Sequence, residues 1–358
     1  MGNTRGSLIK EISCSNLDVN DSFFDSLRDN YGPEFDRWFK EKCVDGGRNA
    51  LVIREGENLY GLCIFKVEHN EPINSDGDFP CEIALKICTF KVSDEARGVK
   101  FGERLLRSVF EKCYSEVIPF IYLTTGSIQE SLIKLLEEFG FHQYGTIKSR
   151  GAKIADCVFG KWITPHHDSH ILDKDMFARE FFPSYKDDST VGKFLVPIQP
   201  EWHEKLFPDI SDFRHSLFGQ TLQFQASEGN AIRKAYVCKS SINRIMSGDL
   251  LFFYRSRDRH SVEAYGVVRT CARTKDFCTV LKLIKGRTVY TDSDLRALMG
   301  EADHGLLVIS FDLLGYIHPP IDVNDMKRYG ITIPQSIVRI GESAYMNIFR
   351  QKQLWQQY

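Results

Sequence analysis

The sequence has 358 residues, of which 42% are hydrophobic and 26% are charged, and its formal net charge is −2. This length favours two domains over a single core. The composition excludes a disordered or fibrous chain, and no apolar run approaches the roughly 18 residues that span a bilayer. The ten cysteines lack Cys-x-x-Cys spacing, which predicts reduced thiols in a cytoplasmic protein and no metal site.

The first part of the chain alternates strand and helix signals. The predicted elements, in chain order, are a helix at 18–42 interrupted at Gly32-Pro33, strands at 50–54, 59–68 and 81–92, a helix at 102–115, a strand at 120–124, a helix at 128–138, and strands at 144–148 and 155–162. This order predicts a domain of the α/β class at residues 7–163.

Polar runs then interrupt the pattern and predict a linker at residues 164–192. The remaining segment, 193–350, is rich in strand signals. Its predicted elements are strands at 194–198, 235–239, 249–255, 263–271 and 306–313, and a helix at 293–299. Short strands separated by glycine-containing turns predict a small barrel or a strongly bent sheet.

The turn between Phe90 and Leu106 carries the clearest chemical signal. A predicted strand runs into a basic, glycine-containing turn that opens directly into an amphipathic helix. Such a turn directs consecutive backbone N–H groups into one concavity, and the helix adds the positive end of its dipole. Arg97 and Lys100 supply opposing charge for a pyrophosphate. The spacing alone is equally compatible with a plain structural turn.

These residues resemble the acetyl-CoA loop of the GNAT N-acetyltransferases. The similar runs are Val92, Arg97-Gly98-Val99-Lys100-Phe101-Gly102 with Leu105-Leu106, and Glu137-Glu138-Phe139-Gly140-Phe141 at the end of the next predicted helix. The resemblance implies the GNAT fold, of the α/β (α+β) class, with a mixed central sheet flanked by helices. It also implies acetyl-CoA as the cofactor, and direct attack of an amine on the thioester without an acyl-enzyme.

The resemblance also implies roles for individual residues. The backbone of Phe90 and Val92 would pair with the pantetheine arm, and the thioester would lie near a strand bulge. The pyrophosphate would lie beside Arg97, on the N–H groups of Gly98, Val99, Lys100, Phe101, Gly102 and Glu103. Three positions depart from the family pattern: Lys100 replaces its first loop glycine, Gln129 an asparagine that reaches the cofactor arm, and Leu136 a tyrosine that protonates the leaving thiolate.

Direct transfer needs a base for the amine proton, and an acid can return a proton to the thiolate. Glu82 lies on the predicted strand before the turn and is the candidate base. Tyr144, and after it Tyr122, are the candidate acids. Each also has a structural interpretation, as a solvated carboxylate at a strand end or as buried tyrosines.

The net charge conceals an asymmetry. Between Arg233 and Arg287 there are 13 Lys/Arg residues and four Asp/Glu residues. Within this stretch Arg255, Arg257 and Arg259 alternate along a predicted hairpin and are expected to share one face. With Arg233 and Lys234 they are candidate phosphate contacts for a nucleic acid, although a solvated charged face is the alternative.

The same stretch contains a second resemblance. Gly248-Asp249 followed by Phe253-Tyr254 and, after a hairpin, Gly266-Val267-Val268 looks like the PUA-like superfamily, whose relatives include ASCH and EVE domains. This implies a small bent barrel that binds RNA or modified bases. The aromatic residues Tyr236, Phe253, Tyr254 and Tyr265 would either stack on a base or fill the core.

Together these features predict an acetyl-CoA-dependent N-acetyltransferase. Its acceptor would be an amine of an RNA or of an RNA-bound substrate such as an aminoacyl-tRNA, recruited by the basic PUA-like domain. Two alternatives stay open. One is a nucleic-acid-binding regulator with a non-catalytic GNAT domain, and the other is a protein N-acetyltransferase whose second domain recognises a partner. No membrane partner is expected.

Overall fold

The computed structural model describes residues 9–32, 34–148, 155–210 and 227–352, with only the backbone at residues 167, 168 and 227. The chain divides into two compact units, one ending at Pro165 and the other beginning at His166. None of the helices within the described ranges is both long and apolar enough to cross a membrane.

Within its described residues, the first unit contains seven strands and four helices. The strands are β1 Ile9–Ser13, β2 Asn49–Glu55, β3 Asn58–His69, β4 Ile83–Val92, β5 Phe120–Thr125, β6 His142–Ile147 and β7 Asp156–Trp162, and the helices are α1 Asp25–Tyr31, α2 Glu34–Trp38, α3 Phe101–Ser115 and α4 Glu130–Glu138. The sheet order is β1-β2-β3-β4-β5-β7-β6. Only β4 and β5 are parallel neighbours, and α3 lies in the connection between them.

Helices pack on both faces of this sheet. The side chains of β3 point alternately to one face and to the other, so each face presents side chains to a helix. Phe65 lies under Lys112 of α3, with the ammonium 4.8 Å from the ring centroid. Leu62 and Ile64 pack on the opposite face, in the cluster that contains Phe24 of the α1 segment. The predicted mixed sheet flanked by helices is therefore confirmed for this unit.

The helix predicted at 18–42 is interrupted at Gly32, as the sequence predicts, but the α-helix begins only at Asp25. Helix α1 ends at Tyr31 because Gly32 adopts a left-handed φ of 67°, which stops a right-handed helix. Pro33 lies outside the described residues. Helix α2 ends at Trp38 and continues as a π-helical turn over Phe39–Val44.

The second unit contains six strands and seven short helices within its described residues. The strands are β8 Lys193–Ile198, β9 Arg233–Cys238, β10 Leu250–Arg255, β11 Ser261–Thr274, β12 Leu306–Asp322 and β13 Val338–Arg339, and the helices are α5 Lys174–Glu180, α6 Pro200–Leu206, α7 Ser227–Asn230, α8 Phe277–Ile284, α9 Asp292–Gly300, α10 Val323–Arg328 and α11 Glu342–Ala344. The sheet order is β13-β8-β10-β11-β12-β9.

The sequence predicts a small barrel or a strongly bent sheet, and the described residues form an open, bent sheet and not a barrel. In the part of the chain that the structure describes, no ladder joins the edge strands β13 and β9. The long strands β11 and β12 contain three register shifts in their pairing. Because such irregularities increase the twist and bend of a strand, the sheet curves without closing.

Residues 164–192, predicted as a linker, contain ordered structure that packs within the second unit. Helix α5 lies in this segment, and Phe181 and Tyr185 are fully buried. The polar residues that suggested a linker make internal bonds: the Tyr345 hydroxyl donates to Asp187 at 2.9 Å, and Lys174 pairs with Asp249 at 2.5 Å. The polar residues of this segment therefore have specific bonding partners within the second unit.

The core of the second unit contains an ionised group. Asp312 of β12 has no exposed surface and accepts hydrogen bonds from Arg233 at 2.8 Å and from Arg269 at 2.6 Å. Burial raises the pKa of this carboxyl, but the two guanidinium groups outweigh burial and bring the pKa to about 2. Arg269 also donates to the Ala178 carbonyl oxygen at 3.0 Å, so the network joins β11 and β12 to α5.

We expect Asp312→Ala to lower the free energy of unfolding by about 3–5 kcal/mol, because it leaves two guanidinium groups without their buried counter-charge. Since the folded-state pKa lies below the unfolded value of about 3.9, this stabilisation is present at neutral pH and is lost as the pH falls from roughly 4 toward 2. Urea unfolding of the full chain, followed by circular dichroism, measures it. The exposed Asp303→Ala is the control, and equal effects of the two variants would contradict the assignment.

Candidate functional site

Strand β4 has a neighbour on only one side along its second half. It pairs with β3 from Ile83 to Val92, but its parallel pairing with β5 ends at the pair Ile87–Leu123. No described strand lies against that edge of β4 beyond Ile87. The two strands therefore separate into a gap whose edge presents backbone hydrogen-bonding groups.

The hydrogen-bond alternation decides which residues face this gap. In an antiparallel pair, every second residue bonds to the partner strand and the residues between direct their N–H and C=O groups away from it. The Ser93 N–H donates to the Tyr60 carbonyl oxygen at 2.9 Å. By alternation, Lys91 also faces β3, whereas the backbones of Phe90 and Val92 face the gap. These are the two residues expected to pair with a pantetheine arm.

A β-bulge lies at the closed end of the gap. Ile64 of β3 is opposite Thr89, but the next residue, Phe65, is opposite Ile87. Cys88 is therefore an extra residue in β4, one position past the last pair with β5. Because a bulge re-aims backbone groups, amide donors at this point can contact a developing oxyanion.

The turn between β4 and α3 uses two left-handed residues, Gly98 with φ 85° and Lys100 with φ 61°. Lys100 occupies the N-cap position of α3 without a side-chain cap bond. The backbone thus has the conformation that a glycine adopts most easily, although a lysine stands there. Strain of this kind is characteristic of functional sites.

The first turn of α3 approaches β4 closely. A Cβ atom added to Gly102 would lie 3.3 Å from Leu135 of α4 and 3.7 Å from the Phe90 ring. Glu103, in the same turn, is buried. Arg97 is exposed and forms an ion pair with Asp94 at 2.6 Å; such a surface pair is weak, so an incoming phosphate can exchange with the carboxylate.

Two of the departures from the family pattern lie on α4. Gln129 is exposed at the N-cap position of this helix and makes no side-chain cap bond. Leu136 is buried among apolar neighbours, so this position supplies no proton.

The structure does not bring the predicted catalytic residues to the bulge. Glu82 precedes β4 and is exposed; six residues of extended chain separate it from Cys88, about 20 Å. The Tyr144 ring packs edge-on against Phe120 at 5.4 Å, beside Gly160. Tyr144 thus packs at the first residue of β5, in the structural role that was its alternative.

Three charged residues that sequence reasoning missed lie near the bulge, around the candidate acid Tyr122. Together these four residues are called the charged cluster: Lys66, Glu68, Lys86 and Tyr122. Lys66 lies opposite Lys86, which lies beside Tyr122. The Tyr122 hydroxyl and the Lys66 ammonium both contact the Glu68 carboxylate, and Lys86 lies 3.9 Å from it. Only the register of three strands brings these residues together, and the sequence contains no signal for that register.

Protonation in the charged cluster follows from its contacts. Burial raises the pKa of Tyr122 and the hydrogen bond to Glu68 raises it further, so the phenol stays protonated. Burial also acts to raise the pKa of Glu68, but its bonds to Lys66 and Tyr122 prevail and lower it. In the described ranges, no group of three or more His, Cys, Asp or Glu side chains is arranged to hold a metal ion.

The structure corrects the predicted nucleic-acid surface of the second unit. Arg255 is buried and bonded to Asp258 and Glu204, so it cannot share an exposed face with Arg257 and Arg259. Two further candidates also form bonds inside the second unit. Arg233 bonds to Asp312, and Lys234 is fully buried and donates to two backbone carbonyl oxygens at 2.9 Å. Arg257 and Arg259 alone among the five are exposed.

The aromatic candidates are mainly core residues, since Phe253, Tyr254 and Tyr265 have no exposed surface. Tyr236 differs because it borders a cavity of about 890 Å³. The cavity is also lined by Trp202 and Tyr290, whose ring centroids lie 4.4 Å apart, and by Ser240, Ser241, Ser256, Arg257 and Gln335. It therefore combines aromatic surface, hydroxyl groups and two exposed cations, Arg257 and Lys239.

Comparison with known proteins adds only distant likenesses. No protein-family model and no curated protein matches the chain. Among solved structures it is similar to an aminoglycoside 6'-acetyltransferase type Ii (20% identity, 44% of this chain and 99% of that one, TM-score 0.34), to Arabidopsis thaliana NAA60 in complex with a bisubstrate analogue (19%, 43% and 97%, 0.32), and to ASCH from Zymomonas mobilis (12%, 43% and 91%, 0.32). At these scores the likeness carries no argument about activity.

We expect Lys100→Gly to raise the free energy of unfolding by about 1 kcal/mol, because glycine removes the cost of holding a side chain in the left-handed region. Urea unfolding of the full chain measures this. Lys134→Gly, in the interior of α4, is the matched control and should lose about 1 kcal/mol. A loss of stability in Lys100→Gly would show that the lysine side chain contributes more than its backbone strain costs.

Proposed function

We propose that the first unit is an acetyl-CoA-dependent N-acetyltransferase domain. The observation that carries the proposal is the placement of three features along one strand: the bulge at Cys88, the gap-facing backbones of Phe90 and Val92, and the left-handed turn that leads into α3. A thioester, an extended amide-containing arm and a pyrophosphate follow one another in acetyl-CoA in the same order.

In this arrangement the pyrophosphate binds at the first turn of α3, where backbone N–H groups lack intrahelical acceptors and the helix dipole favours negative charge. Arg97 and Lys100 add positive charge to the turn from Gly98 to Glu103, and Gln129 borders it from the start of α4. The arm then lies along Phe90 and Val92. The acceptor amine attacks the thioester directly at the bulge, so no cysteine acts as a nucleophile.

We propose that the acceptor is an amine of an RNA or of an RNA-bound molecule, held by the second unit. The cavity favours this assignment: the Trp202 and Tyr290 rings offer a stacking surface of the kind that binds an unpaired base, and Arg257 at the cavity supplies a phosphate contact. Arg259, two residues further along the chain, is also exposed and lies 3.8 Å from the Glu263 carboxylate.

Titration of acetyl-CoA into the purified protein tests the cofactor site. We expect Gly102→Glu to weaken binding by a hundredfold or more, because a like charge about 4 Å from the pyrophosphate costs about 4 kcal/mol at an effective dielectric constant of 20. Gly300→Glu is the matched control, since an added side chain there meets no atom within 4 Å. Undetectable binding by the wild-type protein, or equal binding by both variants, would end the cofactor assignment.

Binding of bulk tRNA at several salt concentrations tests the acceptor class. We expect Arg257→Glu to weaken binding and to reduce the slope of log K against log salt concentration by about 1, because one phosphate contact is lost. Lys282→Glu is the control, because Lys282 is exposed in the same basic stretch but is not among the residues that line the cavity. Equal affinities for the two variants would remove nucleic acid from the proposal.

Mass spectrometry after incubation of cellular RNA and protein with labelled acetyl-CoA separates the remaining alternatives. Label in RNA or aminoacyl-tRNA supports the proposal, and label confined to protein supports a protein N-acetyltransferase. Binding of acetyl-CoA without any transfer supports a non-catalytic regulatory domain.

A further inference from the structure

The bulge at Cys88 lies in a positively charged environment. Lys66 and Lys86 are cross-strand neighbours on β3 and β4, and Lys86 is two residues before Cys88. The Arg48 guanidinium lies 4.0 Å from the Cys43 sulfur, and Cys43 belongs to the apolar cluster against which Cys88 packs. The three cations therefore lie on the face of the sheet on which Cys88 packs.

These cations affect the ionisation of the Cys88 thiol at the bulge. Burial raises the pKa of Cys88, and Arg48, Lys86 and Lys66, in that order, oppose the rise. Their effect has a simple origin, since a nearby positive charge favours the ionised form of a thiol. Glu68 offsets only part of this charge, because one carboxylate is shared by two lysines.

The lysines lie on the face of the sheet opposite α3. Phe65 contacts Lys112 of α3, and the side chains of Lys66 and Glu68 are on the other face by strand alternation. Both lysines keep part of their surface, with side-chain exposures of 35% for Lys66 and 24% for Lys86. Their ammonium groups can therefore interact with a group that enters the gap.

The acetyl-transfer step produces a negatively charged thiolate, which nearby positive charge stabilises. The amine nitrogen forms a bond to the thioester carbon, the carbon–sulfur bond breaks with its electron pair on sulfur, and the amine proton passes to water. The products are an amide and a thiolate. Tyr122 is a poor acid for this thiolate, because its O–H group is already bonded to Glu68, and the apolar Leu136 supplies no proton.

We propose that Lys66, Lys86 and Arg48 form a cationic site that stabilises the thiolate of coenzyme A as it leaves, in place of a proton donor. The proposal rests on the acetyl-CoA site described above. It assigns a catalytic role to residues that neither the phosphate turn nor the strand gap requires.

Coenzyme A is the probe for the test, so the acceptor need not be known. The ultraviolet absorbance of the thiolate is titrated against pH for coenzyme A bound to the full chain, and the spectrum of the protein alone is subtracted. We expect the bound thiol to titrate about one pH unit or more below free coenzyme A. Lys86→Met should return the midpoint toward the free value, and Lys86→Arg should retain the shift.

Lys66→Met provides an independent second variant and should move the midpoint in the same direction. Lys10→Met, an exposed lysine on the edge strand β1, removes the same charge at a distance and should change nothing. Circular dichroism verifies that each variant is folded. A bound thiol that titrates like free coenzyme A, or a midpoint that both methionine variants leave unchanged, overturns the inference. Failure of coenzyme A to bind at all instead overturns the proposed cofactor site.

Discussion

Hydrogen bonding between β4 and β5 stops after the pair Ile87–Leu123, and the features of the candidate site follow from that single loss of pairing. A strand edge without a neighbour presents its backbone groups to whatever enters the gap. The bulge at Cys88 lies where pairing ends, and the strand continues through Val92 into the turn at Gly98. One continuous segment therefore sets the distances between the bulge, the unpaired strand edge and the N-terminus of α3, where we propose that the thioester, the arm and the pyrophosphate bind.

In the second unit, several basic side chains form bonds within the fold and are not exposed to a partner. The basic stretch contains Arg233, Lys234, Arg255 and Arg269, and each of these forms bonds inside the unit. Asp312 is the centre of the largest such network, joining β11 and β12 to α5. A positive excess counted along the chain thus overstates the positive surface, because buried pairing removes cations from solvent without changing the count.

The glycine-containing turn was predictable from the sequence, whereas the arrangement of side chains near the bulge was not. Glycine and basic residues between a strand and a helix have local consequences, so the turn and the start of α3 lie within a residue of the predicted positions. Glu82 was selected because it shares a strand with the turn, but strand rise places it about 20 Å from the bulge. The charged cluster draws Lys66, Lys86 and Tyr122 from three strands, and a one-residue change of register would separate them.

By itself, the sequence determined the order of strands and helices that follow β1 in the first unit, the place of the glycine-containing turn and the apolar face of α3. These features depend on neighbouring residues and on periodicity. The tertiary structure alone decided where β4 and β5 separate, that Lys100 adopts a left-handed backbone, and that Arg255 is buried while Arg257 is exposed. The physical reason is that strand register, bulges and ion pairs arise from contacts between residues far apart in the chain, which local composition does not encode.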